Sequence, residues 1–205
     1  MKKLSLSFAL LVVLTSAGLR VADGKLTPDE RKAAADYYLK TKARLLEDVR
    51  GLSENQLNWK ADSTRWSIYQ CTEHIALSET LIWQWVQMTE HQPATPDKRS
   101  EVKVTTEQLL TRMADRSHKA QAPEMLKPGT QFASEGDAVM AFTRRRDSTI
   151  DYINTTQDDL KDHFINHPVF GTVDLYQALM MLAAHSARHT AQIEEVKATP
   201  GFPKQ

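Results

Sequence analysis

The chain has 205 residues, enough for one well-cored domain and too few for two of ordinary size. Its 41% hydrophobic and 25% charged content is globular usage, and 26 Lys+Arg balanced by 26 Asp+Glu leave no net positive field to draw in phosphate backbone, which argues against nucleic acid as a partner. A single cysteine, Cys71, rules out an intramolecular disulfide and any multi-thiolate zinc or iron-sulfur centre, so metal chemistry would rest on the seven histidines.

The N-terminus separates from the rest. Lys2 and Lys3 form a basic n-region, Leu4 to Leu14 an apolar stretch, and Thr15-Ser16-Ala17 offers small residues for cleavage. Residues 1–17 therefore read as a secretory signal, with a single-span anchor as the alternative; the apolar run is well short of the roughly 20 residues of a spanning helix. A buried N-terminal helix fits less well, since no polar face recurs at helical period. Cleavage after Ala17 removes both lysines and leaves a mildly acidic domain with no stable membrane span, secreted or periplasmic. Residues 18–26 read as a flexible leader, and 27–205 as the folded domain.

Helical punctuation runs through that domain. Thr27-Pro28-Asp29-Glu30 combines an N-cap, a first-turn proline and a capping-box glutamate, and Gly51 stops a helix of about Pro28 to Arg50. Ser53 to Leu57 is one short turn, and Trp59 to Arg65 polar connection. A second long helix begins near Trp66-Ser67, with Ile68, Cys71, Ile75, Leu81, Ile82, Trp85 and Met88 on its apolar stripe, and ends before Pro93 and Pro96. Residues 105–121, with Leu109, Leu110 and Met113, form a shorter accessory helix. Ser134-Glu135-Gly136-Asp137 resembles a capping box opening a helix to about Thr156, with Val139, Phe142, Ile150 and Ile153 inward. The last long helix runs from Val173-Asp174 to about Lys197, burying Leu175, Leu179, Leu182 and Ile193. No run alternates as a half-buried strand would. The expected fold is all-α, a four-helix bundle with one shorter accessory helix.

Polar residues on the buried stripes are the functional candidates. His185 and His189 are four apart, so they lie about 40° apart in azimuth and roughly 6 Å apart along the axis, a spacing at which two imidazoles reach one ion. Leu182, His185, His189 and Ile193 form one continuous row, which points both rings at the core or its mouth. His74 sits between Cys71 and Leu81 on the stripe of the second helix, where an unpartnered ring is costly. Two readings stand for it: a shared metal with His185 and His189, or a hydrogen bond to Gln70, Glu73 or Ser78.

The string Trp66-Ser67-Ile68, His74-Ile75 and Glu79, with Phe170-Gly171 and His185-Ser186-Ala187-Arg188-His189-Thr190-Ala191-Gln192-Ile193 near the C-terminus, resembles the DinB-like superfamily of bacterial four-helix bundles. The likeness spans about Asp29 to Pro203. It implies one divalent metal held by three histidines, one on the second helix and two on the last, which by position are His74, His185 and His189. It also implies, for some relatives, thiol-dependent transferase or isomerase activity.

His163 and His167 share the same four-residue spacing, yet Pro168 disfavours helical geometry at His167, so both read as loop histidines whose removal leaves metal content and melting unchanged. His91 and His118 lie among polar residues and read as solvated. Arg144-Arg145-Arg146 reads as a solvated face, and Trp83, Trp85, Tyr37 and Tyr38 as core. Three neutral imidazoles leave a coordination position open, as catalytic metal sites do, and zinc or nickel suits an imidazole-rich set. Glu73 is a weak candidate base because it lies about 100° around the helix from His74; Gln192 is a candidate to touch a bound water or orient a ligand. No catalytic residue is assigned. The function expected is an exported metal-dependent hydrolase or thiol-dependent transferase acting on a small molecule, with a non-catalytic metal-binding or interaction module as the alternative, and a homodimer is compatible with either.

Overall fold

A computed structural model describes residues 24–117, 121–129 and 131–204. The expected signal at 1–17, most of the leader and His118 lie outside the described residues. Leu26, the last residue of the expected leader, is already buried, and the Gly24 carbonyl accepts the Lys161 amide at 2.9 Å.

Among the described residues there are six α-helices: α1 (Pro28–Val49), α2 (Glu54–Asn58), α3 (Ile68–Glu90), α4 (Thr106–Ala114), α5 (Glu135–Thr155) and α6 (Leu175–Ala198). Their starts are fixed locally. Thr27, Ser53, Ser67, Thr105 and Asp174 each close a reciprocal capping box with the Glu or Gln three residues on. Ser134 caps the Asp137 amide without that reciprocity, because its hydroxyl is turned to the Asp137 carboxylate at 2.7 Å. The accessory helix α4 stops at Ala114, short of the expected residue 121, where the Arg188 guanidinium donates to the Met113 and Asp115 carbonyls. An unexpected antiparallel hairpin joins α5 to α6: β1 (Phe164–His167) pairs with β2 (Gly171–Asp174), His167 opposite Gly171. Pro168 holds His167 extended, and Gly171 takes the turn at φ 71°. His167 is therefore a strand residue, where a loop was expected.

The four long helices form a ring in which α1 and α3 each pack against both α5 and α6. Hydrogen bonds give the directions. Arg31 reaches the Thr156 carbonyl and Arg146 reaches Thr41, so α1 and α5 are antiparallel. Tyr38 donates to the Leu179 carbonyl and Lys197 to that of Asp48, which makes α1 and α6 parallel. Likewise α3 and α5 run parallel, from Tyr69 on the Phe132 carbonyl to the Trp83–Tyr152 ring contact. Parallel neighbours cannot be joined by a tight turn, so the long stretch between α3 and α5 returns along the bundle carrying α4.

Two apolar clusters fill the bundle. One contains Tyr38, Trp83, Ile150, Leu179 and Ala183; the other contains Leu45, Ile75, Ala76, Phe142 and Ile193. A third, smaller cluster of Val104, Leu109, Phe170, Val173 and Met181 fastens α4 and the hairpin to α6. Of the residues expected on the α3 stripe, Trp85 and Met88 face outward, and Trp83 and Val86 are buried in their place. Arg146 departs further from expectation: within the arginine run it has no exposed surface at all. It lies four residues from both Phe142 and Ile150, on the inward stripe of α5, while Arg144 points to solvent.

Candidate metal centre

His74 on α3 and His185 and His189 on α6 converge at the end of the bundle filled by Ile75 and Ile193. Each offers one ring nitrogen, and these nitrogens lie within 4.8 Å of one another. His74 Nε2 and His185 Nε2 are 3.1 Å apart, and the three ring centroids are separated by 4.4 to 4.9 Å. Metal–nitrogen bonds of about 2.0–2.1 Å in a tetrahedron place ligand nitrogens roughly 3.3 Å apart. The observed separation matches that edge.

Surrounding groups select the tautomers. The Nδ1–H of His74 donates to the Leu126 carbonyl at 2.6 Å, and that of His189 to Gln192 Oε1 at 2.9 Å, so both rings present an Nε2 lone pair inward. His185 Nδ1 is buried without a hydrogen-bond partner among the described residues. Burial pushes the His74 pKa down against the pull of the Leu126 carbonyl. Burial, then the neighbouring His189 and His74, pushes His185 well below its ordinary value. His189 is pushed down to about 3, first by burial and then by His74. All three imidazoles are neutral at neutral pH, the form that ligates. The donor set fits a divalent cation: three neutral nitrogens, two of them anchored from behind, with an orphaned polar atom in the third. Trp66 walls the cluster, its ring stacked on His189 at 5.8 Å and tilted against His74 at 4.9 Å.

Other candidates fall outside the centre. Glu73 is fully buried and accepts the Gly129 and Gln131 amides at 2.9 and 2.7 Å, which ties the loop before α5 to α3 and commits both of its carboxylate oxygens. His163 is a buried structural residue whose two ring nitrogens face the Asp159 and Gln92 carbonyls at 2.6 and 2.8 Å. His167 Nδ1 accepts the Val169 and Phe170 amides. His91 is exposed. Cys71 is buried, and burial pushes its thiol up to about 12, which keeps it from serving as a nucleophile. Gln192, expected to touch a bound water or orient a ligand, accepts a hydrogen bond from His189 Nδ1 and orients that ring. The Leu126 carbonyl, being backbone, carried no sequence signal, and Trp66 stood only in the string that carries the family resemblance, without a role at the site.

The DinB superfamily profile matches residues 37–193. The chain belongs to that superfamily. A DinB metal-binding centre of three histidines is thus present on its four-helix bundle. The chain is 25% identical over 150 residues to the uncharacterized protein YuaE of Bacillus subtilis, a match covering 73% of this chain and 88% of that protein. In fold it is similar to YfiT of Bacillus subtilis, described as a probable metal-dependent hydrolase with an unusual four-helix bundle topology. That likeness has a TM-score of 0.59 at 14% identity and covers 87% of this chain and 91% of YfiT. No helix among the described residues is long and apolar enough to cross a membrane.

Proposed function

We propose that this DinB protein is an exported, metal-dependent hydrolase of a small molecule, holding one zinc or nickel ion through His74, His185 and His189. The observation that carries the metal reading is the convergence of three neutral imidazoles, two of them locked in the ligating tautomer. A bound divalent ion supplies polarisation of a substrate carbonyl or phosphoryl oxygen and makes water a stronger acid. The protein's own contribution is orientation and shielding: the Leu126 carbonyl and Gln192 fix two rings, and the Trp66 indole keeps bulk water from one side. Hydrolysis is preferred over thiol transfer because the signal-like N-terminus sends the chain to an oxidising exterior poor in reduced thiol; the metal-dependent hydrolase description of YfiT, which shares the fold, supports the same choice.

A second reading, a non-catalytic metal-binding module, is favoured by one observation. Glu73 is committed to two backbone amides and Cys71 is sealed in the core, so neither supplies a free base or nucleophile. Elemental analysis of the purified protein, followed by ester, amide and phosphoester hydrolysis assays with and without chelator, separates the readings. Bound metal with chelator-sensitive turnover supports the hydrolase; bound metal without turnover supports the module. Absence of any divalent ion under metal-replete conditions defeats both.

A further inference from the structure

Between the two apolar clusters of the bundle lies a single polar layer. Thr41 is 4% exposed, and Glu79, Arg146 and Ser186 are each 0% exposed. One residue comes from each long helix, α1, α3, α5 and α6 in turn. Arg146 Nη1 donates to Thr41 Oγ1 at 2.8 Å, and Nη2 donates to Ser186 Oγ at 2.6 Å and to Glu79 Oε1. Ser186 Oγ in turn donates to Glu79 Oε1 at 2.9 Å. The guanidinium is held between the Tyr38 and Phe142 rings, 4.5 and 5.1 Å from their centroids. One side chain therefore ties all four helices together.

We infer that Arg146 is a positioning residue for the three-histidine centre, fixing the register of α3 against α6 on which the convergence of His74 with His185 and His189 depends. The inference rests on the metal-binding reading of that centre. Its geometric ground is adjacency: Glu79 lies five residues beyond His74, about 7.5 Å along α3, and Ser186 directly follows His185. The Glu79–Ser186 hydrogen bond is thus a cross-link between the same two helices that meet through His74 and His185. Apolar ridges alone tolerate neighbouring registers, whereas a planar fork with three fixed partners accepts one. Stability is a poor account of the layer, because replacing a buried ion pair with packed apolar residues is often neutral or stabilising. A buried charge kept beside a ligand set is better explained by the register it specifies.

Cobalt(II), an absorbing stand-in for zinc, tests this by titration of the full chain. The variants are Ser186→Ala and Arg146→Lys, with Arg31→Met as control; Arg31 ties α1 to the end of α5 through the Ile153 and Thr156 carbonyls, away from the histidines. Expected are wild-type helicity by circular dichroism, cobalt affinity weakened about 10–100-fold in Ser186→Ala and Arg146→Lys, and a weaker ligand-field band. Arg31→Met should lower the melting temperature with cobalt affinity within about twofold of wild type. Should Arg146→Lys fail to fold, Ser186→Ala alone decides. Unchanged affinity and spectrum in folded Ser186→Ala overturn the inference, as does an equal loss in Arg31→Met, which would show affinity following stability alone. Wild-type protein that binds no cobalt defeats the underlying metal reading instead, a result distinguishable from both.

Discussion

Gln192 holds His189 in place: its Oε1 lies 2.9 Å from His189 Nδ1, one turn along the same helix, and accepts a hydrogen bond from that ring N–H. An amide that fixes both tautomer and ring plane governs a ligand it never shares with the metal. Gln192→Leu should therefore weaken zinc binding about 10–100-fold, while the melting temperature of the metal-free protein stays close to wild type. Competition against a chromophoric chelator measures the first quantity and a thermal melt the second. Unchanged zinc affinity would remove Gln192 from the centre.

Alanine at His74, His185 or His189 should each reduce bound metal to trace levels and abolish the rise in melting temperature that added metal gives wild type. His163→Ala should keep full metal content and still lose stability, by about 1–3 kcal/mol, because the Asp159 and Gln92 carbonyls lose their buried partner. His167→Ala should also retain the metal. Elemental analysis and melts of the five variants check all of this, and metal loss in either hairpin-side variant would mean that the ligand set is wrong.

Glu135 supplies a pH dependence. Neither carboxylate oxygen has a hydrogen-bond partner among the described residues, and the Thr72 hydroxyl beside it donates to the Ile68 carbonyl. Burial raises its pKa from 4.5 to about 7 against the opposing pull of the neighbouring Thr72 hydroxyl, although it sits at the favourable N-terminal end of α5. A carboxyl whose folded pKa is raised binds its proton more tightly folded than unfolded, so its contribution to stability falls as pH climbs from about 4.5 through 7. Glu135→Gln should stabilise the protein by about 2 kcal/mol at pH 8 and much less at pH 5. Urea midpoints at the two pH values test this; equal shifts at both would show that Glu135 ionises freely in the fold.

Gly171 closes the hairpin at φ 71°, in space where an added Cβ would meet nothing within 4 Å. Its substitution therefore carries a conformational cost without a steric one. Gly171→Ala should cost about 1–2 kcal/mol, and Gly171→Asn less. Chemical denaturation of both variants measures the difference, and a fully stable Gly171→Ala would show that the turn relaxes.

Export predicts a mature protein beginning near Gly18. Intact mass of protein recovered outside the cytoplasm of an exporting host checks it. A full-length chain confined to the cytoplasm removes the signal reading, and a full-length chain in the membrane fraction replaces it with the anchor.

Local chemistry made most of the fold readable. Capping residues such as Thr27, Ser67 and Asp174 announce their helices within four residues, and His185 and His189 declare a shared face by spacing alone. The hairpin stayed hidden because four residues per strand are too few to show alternation, although the Pro168 effect that took His167 off a helix also favours the extended backbone found there. Three arginines taken as one solvated patch misplace Arg146, which is fully buried. Successive residues turn 100° around a helix, so the run had to point three ways, and the row Phe142, Arg146, Ile150 already marked which of them faced inward. Which helix faces which is a tertiary fact; no periodicity within α3 reports that Glu79 meets α5 and α6.

His74 and His185, which meet at the centre, are 111 residues apart in the chain. During synthesis His74 leaves the ribosome long before His185, so the first ligand waits for the two that α6 carries. The centre is thus completed only once α6 docks on α3, and the ion it captures is drawn from the supply of the compartment in which that happens. Were the proposed export to carry the chain across a membrane unfolded, its metal would be taken up on the far side, and medium composition, more than cytoplasmic metal buffering, would set what occupies the recovered protein.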